Sequence, residues 1–188
     1  MAQNEQKKYL RNFQSLQNGF ISFYGTEVQS VQAGWVEAGD FRTIDTLDMT
    51  TNPQRLLTRH RYNEANKKFI DTGGEIRRVY MIQKDKLIDK EFMKDLKNLY
   101  QQQVNIGVRI GLLSLDEITA HFRKDFIMYD DAIVLVEDQQ ANADYTLGRS
   151  TAYFSSKQID QHRSDFESIW SGKVTGFKPD AYAQQTLN

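Results

Sequence analysis

A chain of 188 residues with 39% hydrophobic and 12% aromatic side chains can bury one sizeable core, and 24 basic against 25 acidic residues leave a formal charge of −1. That balance supplies no global field for nucleic acid or an anionic membrane, and the absence of cysteine removes disulfides, thiolate chemistry and sulfur-based zinc sites. The N-terminal stretch MAQNEQKKYLRNFQ lacks the apolar core of a signal peptide, and no apolar run reaches the roughly 18 residues that span a bilayer, so a cytoplasmic protein without a membrane anchor is expected.

From about Gln6 to Tyr24, Tyr9, Phe13, Leu16, Phe20 and Phe23 fall at alternating spacings of four and three, which predicts a helix with one apolar stripe. Gly25 ends it, and Thr26 with Gln29 makes a capping-box pattern for a second helix carrying Val28, Val31 and Trp35, stopped by Gly39. Phe41–Leu47 alternates with β-branched residues and reads as a strand. Asn52-Pro53 is a cap and first-turn pair, so a third helix is expected over residues 53–72 up to Gly73-Gly74. Glu75–Ile82 reads as a strand, Asp89–Asn105 as a helix closed by Gly107, and Val108–Leu113 as another strand. Ser114 and Glu117 suggest a cap for a short helix ending near His121.

Asp125–Tyr129 and Ala132–Val136 are apolar runs around Asp130-Asp131, a tight hairpin; Tyr145–Phe154 supplies one more strand. Ser155 and Gln158 cap a last helix through Trp170, halted by Gly172, with Ile159, Phe166 and Trp170 near one face. The expected architecture is α/β, a mixed and mainly parallel sheet flanked by helices, because connections of this length favour parallel neighbours with right-handed crossovers. Three units are read along the chain: an N-terminal helical extension over 1–25, a domain over 26–172 and a tail over 173–188.

The element order and above all the strand-turn-strand FIMYDDAIVLV resemble one half of a phospholipase D superfamily domain. YNEANKKFIDTGGEIRRVYMI and HRSDFESIW resemble a bacterial branch found in regulatory and sensor-type proteins. The resemblance implies chemistry on His-x-Lys with an Asp five residues beyond the Lys: the histidine attacks phosphorus, the lysine holds the phosphoryl oxygens and the aspartate orients the histidine. In this sequence that register puts Arg123 at the histidine position, Asp125 at the lysine position and Asp130 at the aspartate position. An arginine stays protonated and cannot attack phosphorus, and an aspartate in the lysine position repels phosphate. A register on His121 places Arg123 as the lysine but Met128 where the aspartate belongs. No catalytic residue is therefore assigned.

His121, Arg123, Asp125 and Asp130 remain candidates for a ligand pocket at strand ends and loops. Arg77-Arg78 must point to opposite sides of their strand, so one faces a covered side; Arg77 is carried as a ligand candidate, the alternative being a snorkelling side chain. His60, within TRHRY, is either an anion cluster or a solvated basic helix face. His162 reads as a packing residue, and no histidine pair shares a helix at metal spacing, so neither metal nor cofactor is expected.

The reading that follows is a non-catalytic regulatory or sensory module that binds a small anionic ligand or a protein partner. The alternative is a phosphodiester hydrolase, nuclease or phospholipase, with an atypical site around His121 and Asp130. The resemblance implies a homodimer, since the family sets two half-domains around one shared site, and the apolar stripe of the first helix offers a surface for it. Balanced charge and the absence of a helix-turn-helix pattern argue against nucleic acid.

Overall fold

Among the described residues, seven runs, most of them β-branched or aromatic, join one sheet in the spatial order 20–24, 149–153, 133–137, 126–129, 43–49, 75–82 and 109–114. The strands are β1 (Phe20–Tyr24), β2 (Thr43–Met49), β3 (Glu75–Ile82), β4 (Arg109–Ser114), β5 (Phe126–Tyr129), β6 (Ile133–Glu137) and β7 (Arg149–Tyr153). The computed structural model describes residues 16–25, 27–38, 41–50, 52–137 and 149–174. The helices are α1 (Glu27–Ala38), α2 (Pro53–Leu57), α3 (His60–Asp71), α4 (Lys90–Asn105) and α5 (Ser156–Trp170).

Only β2, β3 and β4 are parallel; β1 with β7, β7 with β6, β6 with β5 and β5 with β2 are antiparallel. The expectation of a mainly parallel sheet is corrected. Helical crossovers impose parallel pairing on β2–β4, whereas the hairpin at Asp130 forces β5 and β6 to oppose one another. Asp130 adopts φ 46°, a left-handed position that aspartate tolerates in such turns.

Strand parity divides the core into two layers. Ile44, Ile76, Tyr80 and Ile127 pack with Val28, Tyr62, Phe69, Leu96 and Leu99 from α1, α3 and α4. On the opposite face Leu47, Val79, Met81, Phe126 and Met128 meet Ile159, Phe166, Ile169 and Trp170 of α5. The close seating of α3 depends on a glycine: a Cβ on Gly74 would lie 2.3 Å from the Phe69 ring.

Several boundaries move. Residues 20–24 form β1, not the end of a helix over Gln6–Tyr24; residues 6–15 lie outside the described residues, as do Thr26, Gly39, 145–148 and 175–188. A short aromatic run fits either period, and pairing with β7 decides it. Phe23 lies edge-on to Trp35 at 5.8 Å and Phe20 tilts against Tyr153 at 6.3 Å, so these two rings already have partners within the fold.

The helix expected over 53–72 is broken at Thr58-Arg59 into α2 and α3. The Asn63 amide donates to Leu56 O and the Thr58 hydroxyl to Arg55 O, local bonds that stabilise the break without proline or glycine. The short helix after Ser114 is replaced by two 3₁₀ turns, Leu115–Glu117 and Ala120–Phe122, because so short a segment cannot offset helix nucleation. Ser155 precedes α5 without a side-chain capping bond.

Candidate functional site

A polar pocket opens where β2 ends, β5 begins and β6 ends, and the break between α2 and α3 closes it. Because β5 runs antiparallel to both neighbours, Asp125 falls beside Met49 and Glu137: its carboxylate accepts from Met49 N at 3.3 Å and its carbonyl from Glu137 N at 2.9 Å. Parity sends Thr46 and Asp48 to the same side of β2, and Arg78 arrives from β3 opposite Thr46. The helix break contributes Arg55, Arg59 and Tyr62. The cavity measures about 50 Å³, several times the ~10–15 Å³ that one water needs.

Three arginines and three carboxylates share this space, and their hydrogen bonding is incomplete. Arg78 is 3% exposed; it donates to Gln103 Oε1 at 2.9 Å and, more weakly, to the Tyr62 and Tyr80 hydroxyls at 3.3 and 3.4 Å. These partners are neutral, and Arg78 Nε has none. Thr46 is 2% exposed and its hydroxyl is likewise unpartnered, as is Arg59 Nε. Burial pushes the Asp125 carboxyl well above the usual carboxylate range, with Glu137 and Asp48 adding like-charge repulsion. Glu137 is raised chiefly by burial, against the attraction of Arg59 and the Gln32 amide that donates to it at 3.3 Å. Burial raises the Tyr80 phenol to about 12.

On the α5 face charges are paired. Arg77 Nε and Nη2 donate to the two oxygens of buried Asp45 at 2.7 Å each, Nη2 also reaches Glu167, and the guanidinium lies 4.9 Å from the Phe166 ring centroid. Asp165, also buried, accepts from Gln161 and Lys124 and faces His121 Nε2 at 3.0 Å. Burial works against its charge, yet the bonds from Lys124 and His121 prevail and hold the carboxyl below its ordinary value. Burial lowers His162, whose Nδ1 lies 2.7 Å from Gln158 O. Among the described residues no group of three or more His, Asp or Glu side chains could hold a metal ion, and no helix is long and apolar enough to cross a membrane.

No family model matches this chain, and no curated protein matches its sequence. Solved structures do match. Nuc of Salmonella typhimurium, a phospholipase D family member, superposes with a TM-score of 0.58 at 11% identity, over 85% of this chain and 96% of that one. The fold is phospholipase D-like. The phosphatidylserine synthase of Haemophilus influenzae matches with a TM-score of 0.52 at 11% identity, over 88% of this chain and 40% of its own. TrmBL2, an archaeal chromatin protein with a novel mode of DNA binding, matches at 0.51 and 13% identity, over 93% of this chain and 62% of its own.

The three residues that the sequence register laid on the family's histidine, lysine and aspartate positions separate. Asp125, at the lysine position, lines the pocket. Arg123, at the histidine position, turns back and donates to Ile118 O at 3.2 and 3.3 Å. Asp130 clamps the start of β2, accepting from Arg42 N, Thr43 N and the Thr43 hydroxyl at 2.7–3.1 Å. No hydrogen bond joins these three to one another. His121 and Arg77 belong to the α5 face, and His60 is exposed at the start of α3.

The other pocket residues escaped the sequence reading. Arg78 had a signal, since one member of Arg77-Arg78 had to face inward. Arg55 and Arg59 had none, because the helix break that aims them carries no breaker residue.

Proposed function

We propose that this domain is a non-catalytic binding module that accepts a small oxyanion, such as a phosphate group, in the pocket around Arg78, and that occupancy serves a regulatory or sensory role. The observation that carries this reading is Arg78 itself: a guanidinium 3% exposed, with only neutral hydrogen-bond partners and a free Nε, in a pocket lined by neither histidine nor lysine. Guanidinium groups bind oxyanions in planar, multidentate fashion, whereas phosphoryl transfer of the phospholipase D kind needs a nucleophile that these walls do not offer. Neighbours named as enzymes favour the alternative, a phosphodiester hydrolase.

One experiment separates the two. Inorganic phosphate is expected to raise the melting temperature of the native protein and to leave Arg78→Met unmoved, while bis(p-nitrophenyl) phosphate is hydrolysed no faster than in buffer. Turnover lost on His121→Ala would place a working centre on the α5 face and establish the hydrolase. A homodimer is proposed from the family resemblance alone, now without support from Phe20 and Phe23, and light scattering at micromolar concentration tests it. The expectation of no nucleic-acid partner rests on balanced charge, and a shift assay with duplex DNA tests it.

A further inference from the structure

We propose that the pocket takes up its oxyanion together with a proton, which is held on the Asp125–Glu137 carboxyl pair. The inference rests on the reading of this pocket as an anion site and adds the condition under which an anion enters.

Charge and geometry carry the argument. Among the described residues the charged groups that face the pair are Asp48 from β2, Arg55 from α2, Arg59 from the α2–α3 break and Arg78 from β3, with the phenols of Tyr62, Tyr80 and Tyr129 near them. With all carboxylates ionised, three arginines balance Asp48, Asp125 and Glu137, and the pocket offers an anion no net attraction. Asp125 and Glu137 are cross-strand neighbours joined through the Glu137 N to Asp125 O bond, so an entering anion meets two negative groups at once. One proton changes both terms. It leaves a net positive pocket and turns a repelling carboxylate into a hydroxyl donor that can bond an anion oxygen.

Donors for the remaining oxygens are at hand: Arg78 and Thr46 line the cavity, and Arg78 Nε and the Thr46 hydroxyl are buried without a hydrogen-bond partner. The burial that raises both carboxyls above the ordinary range, about 4 for such groups, brings the proton step toward neutral pH. The balance is one solvent proton and one anion bound per pocket, with no covalent bond made or broken. An aspartate at the lysine position of a phospholipase D-like site thereby changes from an obstacle to phosphate into a proton-dependent latch.

Sulfate is the suitable probe, because it remains a dianion from pH 5 to 8 and its own titration cannot imitate the effect. Calorimetry in buffers of different ionisation enthalpy is expected to show close to one proton taken up per sulfate bound, and affinity falling up to about tenfold per pH unit above the pair's titration. Asp125→Asn, neutral at every pH, is expected to bind sulfate more tightly than the native protein at pH 8 and to lose most of the slope; Glu137→Gln provides the same test from the other strand. Sulfate binding that is lost in Arg78→Met but flat with pH and without proton uptake overturns the coupling and keeps the anion site. Failure of both sulfate and phosphate to bind at any pH from 5 to 8 overturns the anion site and the coupling with it.

Discussion

Arg77 and Arg78 are adjacent in one strand and live in opposite electrostatic worlds. Arg77, toward α5, is gripped by Asp45 and Glu167 and lies over Phe166 and Trp170. Arg78, toward α3 and α4, is more deeply buried but finds only an amide and two phenols. A buried charge with a carboxylate partner is a structural device, whereas one left short of partners calls for a separate explanation. The same division holds for acids: Asp165 is satisfied by three side chains, while Asp125 has one backbone donor and two acidic neighbours.

The sharpest way to break this comparison is to remove each arginine. Arg77→Met removes both donors that grip the buried Asp45 carboxylate and leaves it only Arg163 at 3.9 Å as a cationic neighbour, so the fold is expected to lose about 3–5 kcal/mol in urea denaturation. Arg78→Met leaves Gln103 Oε1 without its donor but removes a buried charge that no carboxylate hydrogen-bonds, so a cost under about 2 kcal/mol is expected. Equal costs would mean that both arginines are structural. Trp170→Ala tests the α5 layer as a whole: the ring is 8% exposed and stacks on Phe166 at 5.7 Å, and its loss is expected to cost on the order of 3 kcal/mol. An unmoved midpoint would show that α5 contributes little packing.

Smaller effects come from the acids and carry opposite signs. Asp165 has a lowered value in the fold, so the stability it contributes is present above the unfolded-state value of about 3.9 and is lost as pH falls through the folded-state one; Asp165→Asn is expected to cost about 1–3 kcal/mol at pH 7 and little at pH 2. Asp125 has a raised value, so the folded state binds more protons than the unfolded chain above about pH 4 and stability falls with rising pH there. Asp125→Asn is accordingly expected to raise the melting temperature at pH 8, with the gain fading toward pH 4. A loss at pH 8 would show that the Asp125 carboxylate is paired and structural.

The sequence by itself determined the elements whose signals are local and redundant. The strand Glu75–Ile82, the helix Lys90–Asn105 with Asp89 accepting from Glu91 N and Phe92 N, and the hairpin around Asp130 all appear where pattern, cap and turn chemistry agree. The same hairpin carried the likeness to the phospholipase D fold. Tertiary structure alone decided what depended on pairing partners: β1 became a strand because β7 offered it a free edge, and the sheet became mostly antiparallel because the chain re-enters it beside β2.

The candidate site was the least legible part, for the same reason. Of the six residues singled out, Asp125 alone reaches the pocket. The other walls, Asp48, Arg55, Arg59, Arg78 and Glu137, come from four segments that parity and a helix break bring together. Sequence spacing encodes neighbours along one element, and a pocket assembled at the meeting of three strand ends and a helix break is written only in the pairing between elements.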